Sequence, residues 1–288
     1  MAWVNDIIQG ILLGGFYALF AAGLSLIFGV MRLVNLAQGD FSILSAYLAL
    51  VIVGPLNINP FLSIVFVMAL MAVFGYVLQR GLLNHAMDAG PMPAILVTFG
   101  ISIIIQNALL EIFSANSKGL DAGSIENSAI TLSNQVTVGW FSLLTLATSV
   151  VVLLGLQFFL SRTRLGRAFR ATSDNQRAAQ LMGIDNRHLY GLAMSIALAI
   201  AAIAGVFIGI RTTFSPGIGP ARLIFGYEAV IIGGLGSLWG TLVGGIILGI
   251  AQTVGGHINQ GWGILAGHVV FLAVLAFRPQ GLFAKQVQ

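Results

Sequence analysis

The sequence predicts an all-α, polytopic integral membrane protein, and three observations carry that prediction. Apolar runs longer than the roughly 18 residues that mark a membrane-crossing helix recur along the 288-residue chain. Charged residues make up only 8% of the composition and hydrophobic residues 58%, and mean hydropathy is +0.97. The few charges are also concentrated. Arg162, Arg164, Arg167, Arg170, Arg177 and Arg187 are six of the 13 Lys+Arg, gathered in one short stretch. A soluble core needs no such uninterrupted apolar sequence.

Taken in order, the apolar runs are Asp6 to Gly29, Leu36 to Pro55, Phe61 to Gln79, Ala94 to Phe113, Gly139 to Leu160, Leu189 to Arg211, Tyr227 to Thr253 and Trp262 to Phe277. That makes about eight segments, each near the length of a crossing helix. The first has no Lys or Arg ahead of it and carries Asp6, so it is expected to be a retained span and not a cleaved signal. No internal repeat or linker divides the chain, and residues 1–288 are expected to form a single membrane-spanning domain with one large cytoplasmic loop over 161–188.

Positive charge sets the expected orientation. The Arg-rich loop belongs in the cytoplasm, with Arg32 and Arg80 on the same side, which places the N-terminus outside. Simple alternation would then leave Arg278 outside as well. The seventh segment resolves this if it breaks at Gly233, Gly234 and Gly236 into two half-helices that enter and leave on one side, returning the C-terminus to the cytoplasm. A continuous span using those glycines for close packing is the other reading. A second break is expected where Asn35, Gln38 and Asp40 surround Gly39, because polar groups at membrane depth line a cavity or a broken helix. Gly39, Gly233, Gly234 and Gly236 are accordingly the expected hinges.

Inside the basic loop, Ser173 followed by Gln176 fits a capping box, Asp174 suits a first helical turn and Gly183 suits the position just past a helix end. A helix from Asp174 to Met182 is expected. Ala178, Leu181 and Met182 form one apolar stripe on it, beside the polar Gln176 and Arg177. So short a helix needs something to pack on, which marks it as a plug for a groove on another protein. The competing reading is a positively charged loop that only sets topology.

These residues resemble a family. The stretch "GRAFRATSDNQRAAQLMGID" is similar to the cytoplasmic loop of permeases in ABC importers for branched-chain amino acids, and "AAQLMG" echoes the Ala-Ala-x-x-x-Gly core through which importer permeases engage their ATPases. Arg177 stands where that core usually carries Glu. "GLSLIFGVMRLVNLAQGDF", "GGLGSLWGTLVGGIILG" and "RPQGLF" agree in order along the chain. The length resembles the smaller of two paired permeases. The resemblance implies a homologous second permease, two ATP-binding cassette subunits that hold ATP and Mg, and a periplasmic substrate-binding protein. It also implies an inner-membrane location. Arg167, Arg170, Ser173, Asp174, Gln176, Arg177, Ala178, Ala179, Leu181, Met182 and Gly183 are thereby the expected ATPase-coupling residues.

The chain carries no P-loop pattern, so it is expected to hold no ATPase site or cofactor of its own and not to be an enzyme. Its four histidines share no ligand spacing and its cysteine count is zero, so no metal site is expected. Basic cytoplasmic loops in a lipid bilayer account for the net charge of +4 without nucleic acid. For the solute path the candidates are Asn35, Gln38, Thr98, Ser102 and Glu228; Thr98, Ser102 and Gln106 fall on one helical face. Each also reads as polar glue between helices. The alternative class is a secondary transporter or channel driven by an ion gradient. It would use ionisable groups along the path, for which only Asp40, Glu228 and Glu111 are at hand.

Overall fold

The computed structural model describes residues 2–56, 58–133 and 136–283. Among them, seven helices are long and apolar enough to cross a membrane. The elements are α1 (Ala2–Met31), α2 (Gln38–Leu56), α3 (Pro60–Leu78), a π-helical turn (Gln79–Leu83) leading into α4 (Asn84–Asp88), α5 (Pro91–Phe113) and α6 (Ser124–Asn127). A hairpin of β1 (Ala129–Ser133) and β2 (Val136–Gly139) precedes α7 (Trp140–Arg162), α8 (Arg164–Asp174), α9 (Gln176–Leu181) and α10 (Asn186–Arg211). A 3-10 turn (Pro216–Ile218) then leads into α11 (Gly219–Gly233), α12 (Leu238–Ile258) and α13 (Trp262–Phe277). The short hairpin accompanies an otherwise helical fold among the described residues. Its signal was present as the alternation Ile130-Thr131-Leu132 and Val136-Thr137-Val138, a period-2 pattern.

The chain forms two compact units. The first comprises Met1–Ser25, Gly123–Leu154 and Ile224–Gln288. Here α1 lies against α12 with backbones in contact: a Cβ on Gly14 would sit 2.4 Å from the Ile246 Cα, and one on Gly249 would sit 2.2 Å from the Gly10 carbonyl. Lipid offers no hydrophobic drive for helices to associate, so small residues that let backbones approach hold them together. The hairpin pairs Ile130 with Val138 and Thr131 with Thr137, and Gln9 on α1 donates 2.6 Å to the Thr137 carbonyl.

The expected break in the seventh segment is present, but its form differs. Gly234 (φ 105°) and Gly236 (φ 79°) turn the chain between α11 and α12, and Ser237 caps α12 by accepting from the Gly240 amide at 3.1 Å. The second piece is no half-helix: α12 has 21 residues, about 31 Å at the usual rise and enough to cross. Gly233 ends α11 without left-handed geometry. Its role is packing, because a Cβ there would meet the Gly240 carbonyl at 2.0 Å. The C-terminal tail seats on this turn, with the Leu282 and Phe283 amides donating 2.9 Å bonds to the Ile232 and Gly233 carbonyls. Those are carbonyls that a helix end leaves without partners.

The second unit comprises Leu26–Ala122 and Gly155–Leu223. Its centre is the buried α10, against which α3 and α2 pack. Gly205 admits the Ser42 carbonyl to 2.1 Å of a would-be Cβ, and Gly75 admits the Met194 carbonyl to 2.9 Å. Asn35 lies beside Met194 while Ser42 lies beside Gly205. Therefore α2 runs in the same direction as α10 and starts part-way along it, at depth in the protein. The break between α1 and α2 spans residues 32–37, with Arg32 in left-handed geometry (φ 53°). Gly39, expected as a hinge, is instead inside the first turn of α2, and a Cβ on it would lie 2.2 Å from the Gly219 carbonyl.

Candidate functional site

Two groups of residues in the second unit carry chemistry. The first is the basic loop. Thr163 caps α8 by accepting from the Gly166 amide at 2.9 Å, and Phe169 anchors this amphipathic helix, 1% exposed and beside Phe159. Arg164, Arg167 and Arg170 project into solvent. The expected helix over Asp174 to Met182 is corrected here. Asp174 ends α8, and α9 runs only from Gln176 to Leu181. The cap is Asn175, extended at φ −150°, whose side chain accepts from the Ala178 amide at 3.0 Å.

Ser173 does not serve as that cap because it lies inside α8, with its hydroxyl turned away to donate 2.6 Å to the Gly29 carbonyl. Gln176 does not reach back either; its amide donates to the Tyr190 hydroxyl. Three cap-capable residues stand in a row, and tertiary contacts decide which one acts. The end of α9 is as expected: Gly183 takes φ +82°, with Ile184 N bonded to Ala179 O at 3.1 Å and Gly183 N to Gln180 O at 2.9 Å. That is the Schellman arrangement. Ala179 faces inward at 3% exposure, while Leu181 and Met182 stand out at 89% and 83%. Ala178 and Arg177 are exposed with them.

The second group is a buried polar line between α2 and α5. Asn35 Oδ1 accepts from the Ala37 amide at 3.0 Å and its Nδ2 donates to Gln38 Oε1 at 3.3 Å. Thr98 Oγ1 accepts from the Leu36 amide at 3.2 Å. One helical turn on, Ser102 Oγ donates 2.6 Å to Asp40 Oδ2, and Gln106 Nε2 donates 3.0 Å to Ser102 Oγ. The expected face of α5 thus meets the start of α2, and Asn35, Gln38, Thr98 and Ser102 come together. All four are at most 4% exposed.

Asp40 belongs to this group and was missing from the expected path, although it is the one carboxylate in its apolar run. It sits in the first turn of α2 against Gly219, the first residue of α11; a Cβ on Gly219 would lie 2.2 Å from Asp40 Oδ1. Two helix N-termini therefore face one carboxylate, and their partial positive charge offsets its loss of water. Asp40 Oδ1 and Gln38 Nε2 are both buried without a hydrogen-bond partner. Such groups are costly at depth.

Glu228 lies in the first unit, mid-helix on α11 and not at a segment start, because α11 begins eight residues before the expected Tyr227. Its carboxylate is 3% exposed and bonded to His268 on α13, which stacks on Phe225 at 6.0 Å. Among the described residues no group of three His, Asp or Glu could hold a metal ion.

A family model described as the permease component of branched-chain amino acid transport systems matches residues 7–276. This chain belongs to that family. The permease is 28% identical over 296 residues to the high-affinity branched-chain amino acid transport system permease protein BraD of Pseudomonas aeruginosa, covering 98% of this chain and 96% of that one. It is 28% identical over 293 residues to a probable branched-chain amino acid transport permease protein LivH of Methanocaldococcus jannaschii, covering 96% and 91%. More distantly, it is 26% identical over 246 residues to the ribose import permease protein RbsC of Escherichia coli, covering 81% and 72%. The matched residues 7–276 span the break at 32–37, the basic loop and the α11–α12 turn.

Proposed function

We propose that this permease is a translocation subunit of an ATP-driven importer for branched-chain amino acids, moved by separate ATPase subunits through α9. The observation that carries the reading is the exposure of Leu181 and Met182 at the tip of a helix capped at both ends. Apolar side chains held out rigidly beside Arg167, Arg170 and Arg177 suit a groove on a partner protein. Charge alone, for topology, would need neither the caps nor the apolar tip.

The polar line of Asn35, Gln38, Thr98, Ser102 and Asp40 is proposed to border the solute path, offering donors and acceptors among apolar walls. Glu228 is assigned instead to holding α13 on α11 through His268. ATP and Mg bind the ATPase subunits, a second, homologous permease completes the path and an extracytoplasmic binding protein delivers the solute. The N-terminus is proposed to face outside and the tail inside, in a bacterial inner membrane, consistent with Arg32, Arg80 and the basic loop lying on one side.

The test is reconstitution of the permease with its ATPase, second permease and binding protein in proteoliposomes. ATP-dependent uptake of leucine that survives collapse of proton and sodium gradients supports the reading. Uptake driven by an ion gradient without the ATPase subunits overturns it.

A further inference from the structure

Behind the exposed tip of α9 the second unit holds a cavity of about 530 Å³, within the size range of small-molecule sites. Met31, Leu33, Val34, Met87, Pro91 and Ile95 give it apolar lining. Arg32, Asp88, Arg187, Gln176 and Gln180 give it polar lining. We propose that this cavity is a product-side regulatory site for a small carboxylate-bearing zwitterion with an apolar side chain, and that its occupancy restrains α9. The class of ligand rests on the transport reading above.

The charges point to a carboxylate. Asp88 and Arg187 neutralise each other across 2.6 Å at the rim. Arg32 takes part in no ion pair among the described residues, and its guanidinium meets only the Ser173 carbonyl, at 3.4 Å. The N-terminus of the 23-residue α5 also opens here: Gly90 and Pro91 line the cavity, and no side chain caps that end. An unmatched guanidinium and a helix N-terminus together favour an anion. Asp88 Oδ1, the oxygen that Arg187 does not take, is open to accept from an ammonium, and the apolar part of the lining suits an aliphatic side chain.

The same polar lining reaches the coupling helix. Gln176 and Gln180 lie one turn apart on α9, and Asn186 ties the start of α9 to α10 through a 2.9 Å bond to the Gln176 carbonyl. Arg32 reaches the end of α8 just ahead of the α9 cap and is itself held in left-handed geometry, φ 53°, a costly state for a non-glycine residue. A ligand on Arg32 therefore bridges the α1–α2 link, the start of α5 and α9. Holding these three together opposes any movement of α9, so accumulated product slows the transporter, a coupling between two sites.

The experiment uses the whole complex in proteoliposomes whose lumen holds ATP with or without L-leucine, leucinamide or 4-methylpentanoate, and reads the initial rate of ATP hydrolysis. The ratio of loaded to unloaded rates is expected to fall about fivefold or more with leucine, the usual scale of allosteric coupling, less with 4-methylpentanoate, and not with leucinamide. In Arg32→Gln that ratio should stay near one whatever the unloaded rate. Gln180→Cys provides an independent readout: lumenal leucine should protect it from a thiol reagent even in a complex that transports nothing, which separates this site from the transport assignment. Inhibition that persists in Arg32→Gln, equal inhibition by leucinamide, or no protection of Gln180→Cys overturns the proposal. So does an Arg32-dependent response to the phosphatidylglycerol content of the vesicles with none to leucine, which would make the ligand a lipid phosphate.

Discussion

Ser102 on α5 donates a 2.6 Å hydrogen bond to Asp40 on α2, a carboxylate 1% exposed whose other oxygen is buried against Gly219. The bond fixes the start of α2 to the middle of α5, where the chain has only just resumed a helix. It also accounts for the glycine: any side chain at 219 would occupy the space of the carboxylate.

Ser102→Ala should therefore lower stability by about 1–3 kcal/mol, the cost of leaving a buried acceptor without its donor, while Ser102→Thr should retain most of it. Tryptophan-fluorescence melting in detergent checks both. Gly219→Ala should be at least as damaging, because the nearest atom to the added Cβ is the Asp40 carboxylate at 2.2 Å.

The ends of α9 are predicted to matter more for coupling than for folding. Asn175→Ala removes a cap worth about 1 kcal/mol, and Gly183→Val forces a branched side chain into φ +82°, costing roughly 1–2 kcal/mol. Each loss falls on a six-residue helix and should reduce uptake by about tenfold or more, on the scale of 1.4 kcal/mol per decade, with the same detergent melting temperature as the parent.

At the tip, Leu181→Asp and Met182→Asp touch nothing in the permease, since both side chains are more than four-fifths exposed. They should leave expression and melting unchanged and abolish co-purification of the ATPase subunits. Normal recovery of the ATPase with either variant would remove α9 as the docking element.

The tail should prove structural. Gly281 adopts φ +81°, and a Cβ there would lie 2.5 Å from the Gly234 Cα. Gly281→Val, or truncation before Leu282, frees the Ile232 and Gly233 carbonyls and should lower the melting temperature by several degrees, consistent with a loss of about 1 kcal/mol or more per unpaired group.

Cysteine labelling tests orientation, aided by a cysteine count of zero in the native sequence. A membrane-impermeant thiol reagent outside intact cells should label Ser117→Cys and spare Arg177→Cys and Phe283→Cys. Outside labelling at 283 would place the tail, and with it the α11–α12 turn, on the wrong face.

Much of this protein is determined by local chemistry and is therefore legible in the residues alone. Long apolar runs mark the spans because the bilayer tolerates nothing else over that length, and a glycine after Met182 marks a helix end because few other residues accept a positive φ. The face of Thr98, Ser102 and Gln106 follows from helical spacing. Tertiary structure alone decided what those groups meet. Ser173, Asp174 and Asn175 are nearly equivalent as caps, and Asn175 acts while Ser173 lies inside α8 and is drawn to Gly29, 144 residues away. Glu228 reads as a path residue, and its partner His268, 40 residues on, is visible only in the structure. Gly39 and Gly233 read as hinges, and the close backbone contacts that both also make could not be read from the sequence, since a missing Cβ permits a turn and a close approach equally well. The break before α2 was legible, but the meeting of Asp40 with Gly219 was not, because it depends on two helix N-termini far apart in sequence arriving at one carboxylate, a contact specified by packing and by no local pattern.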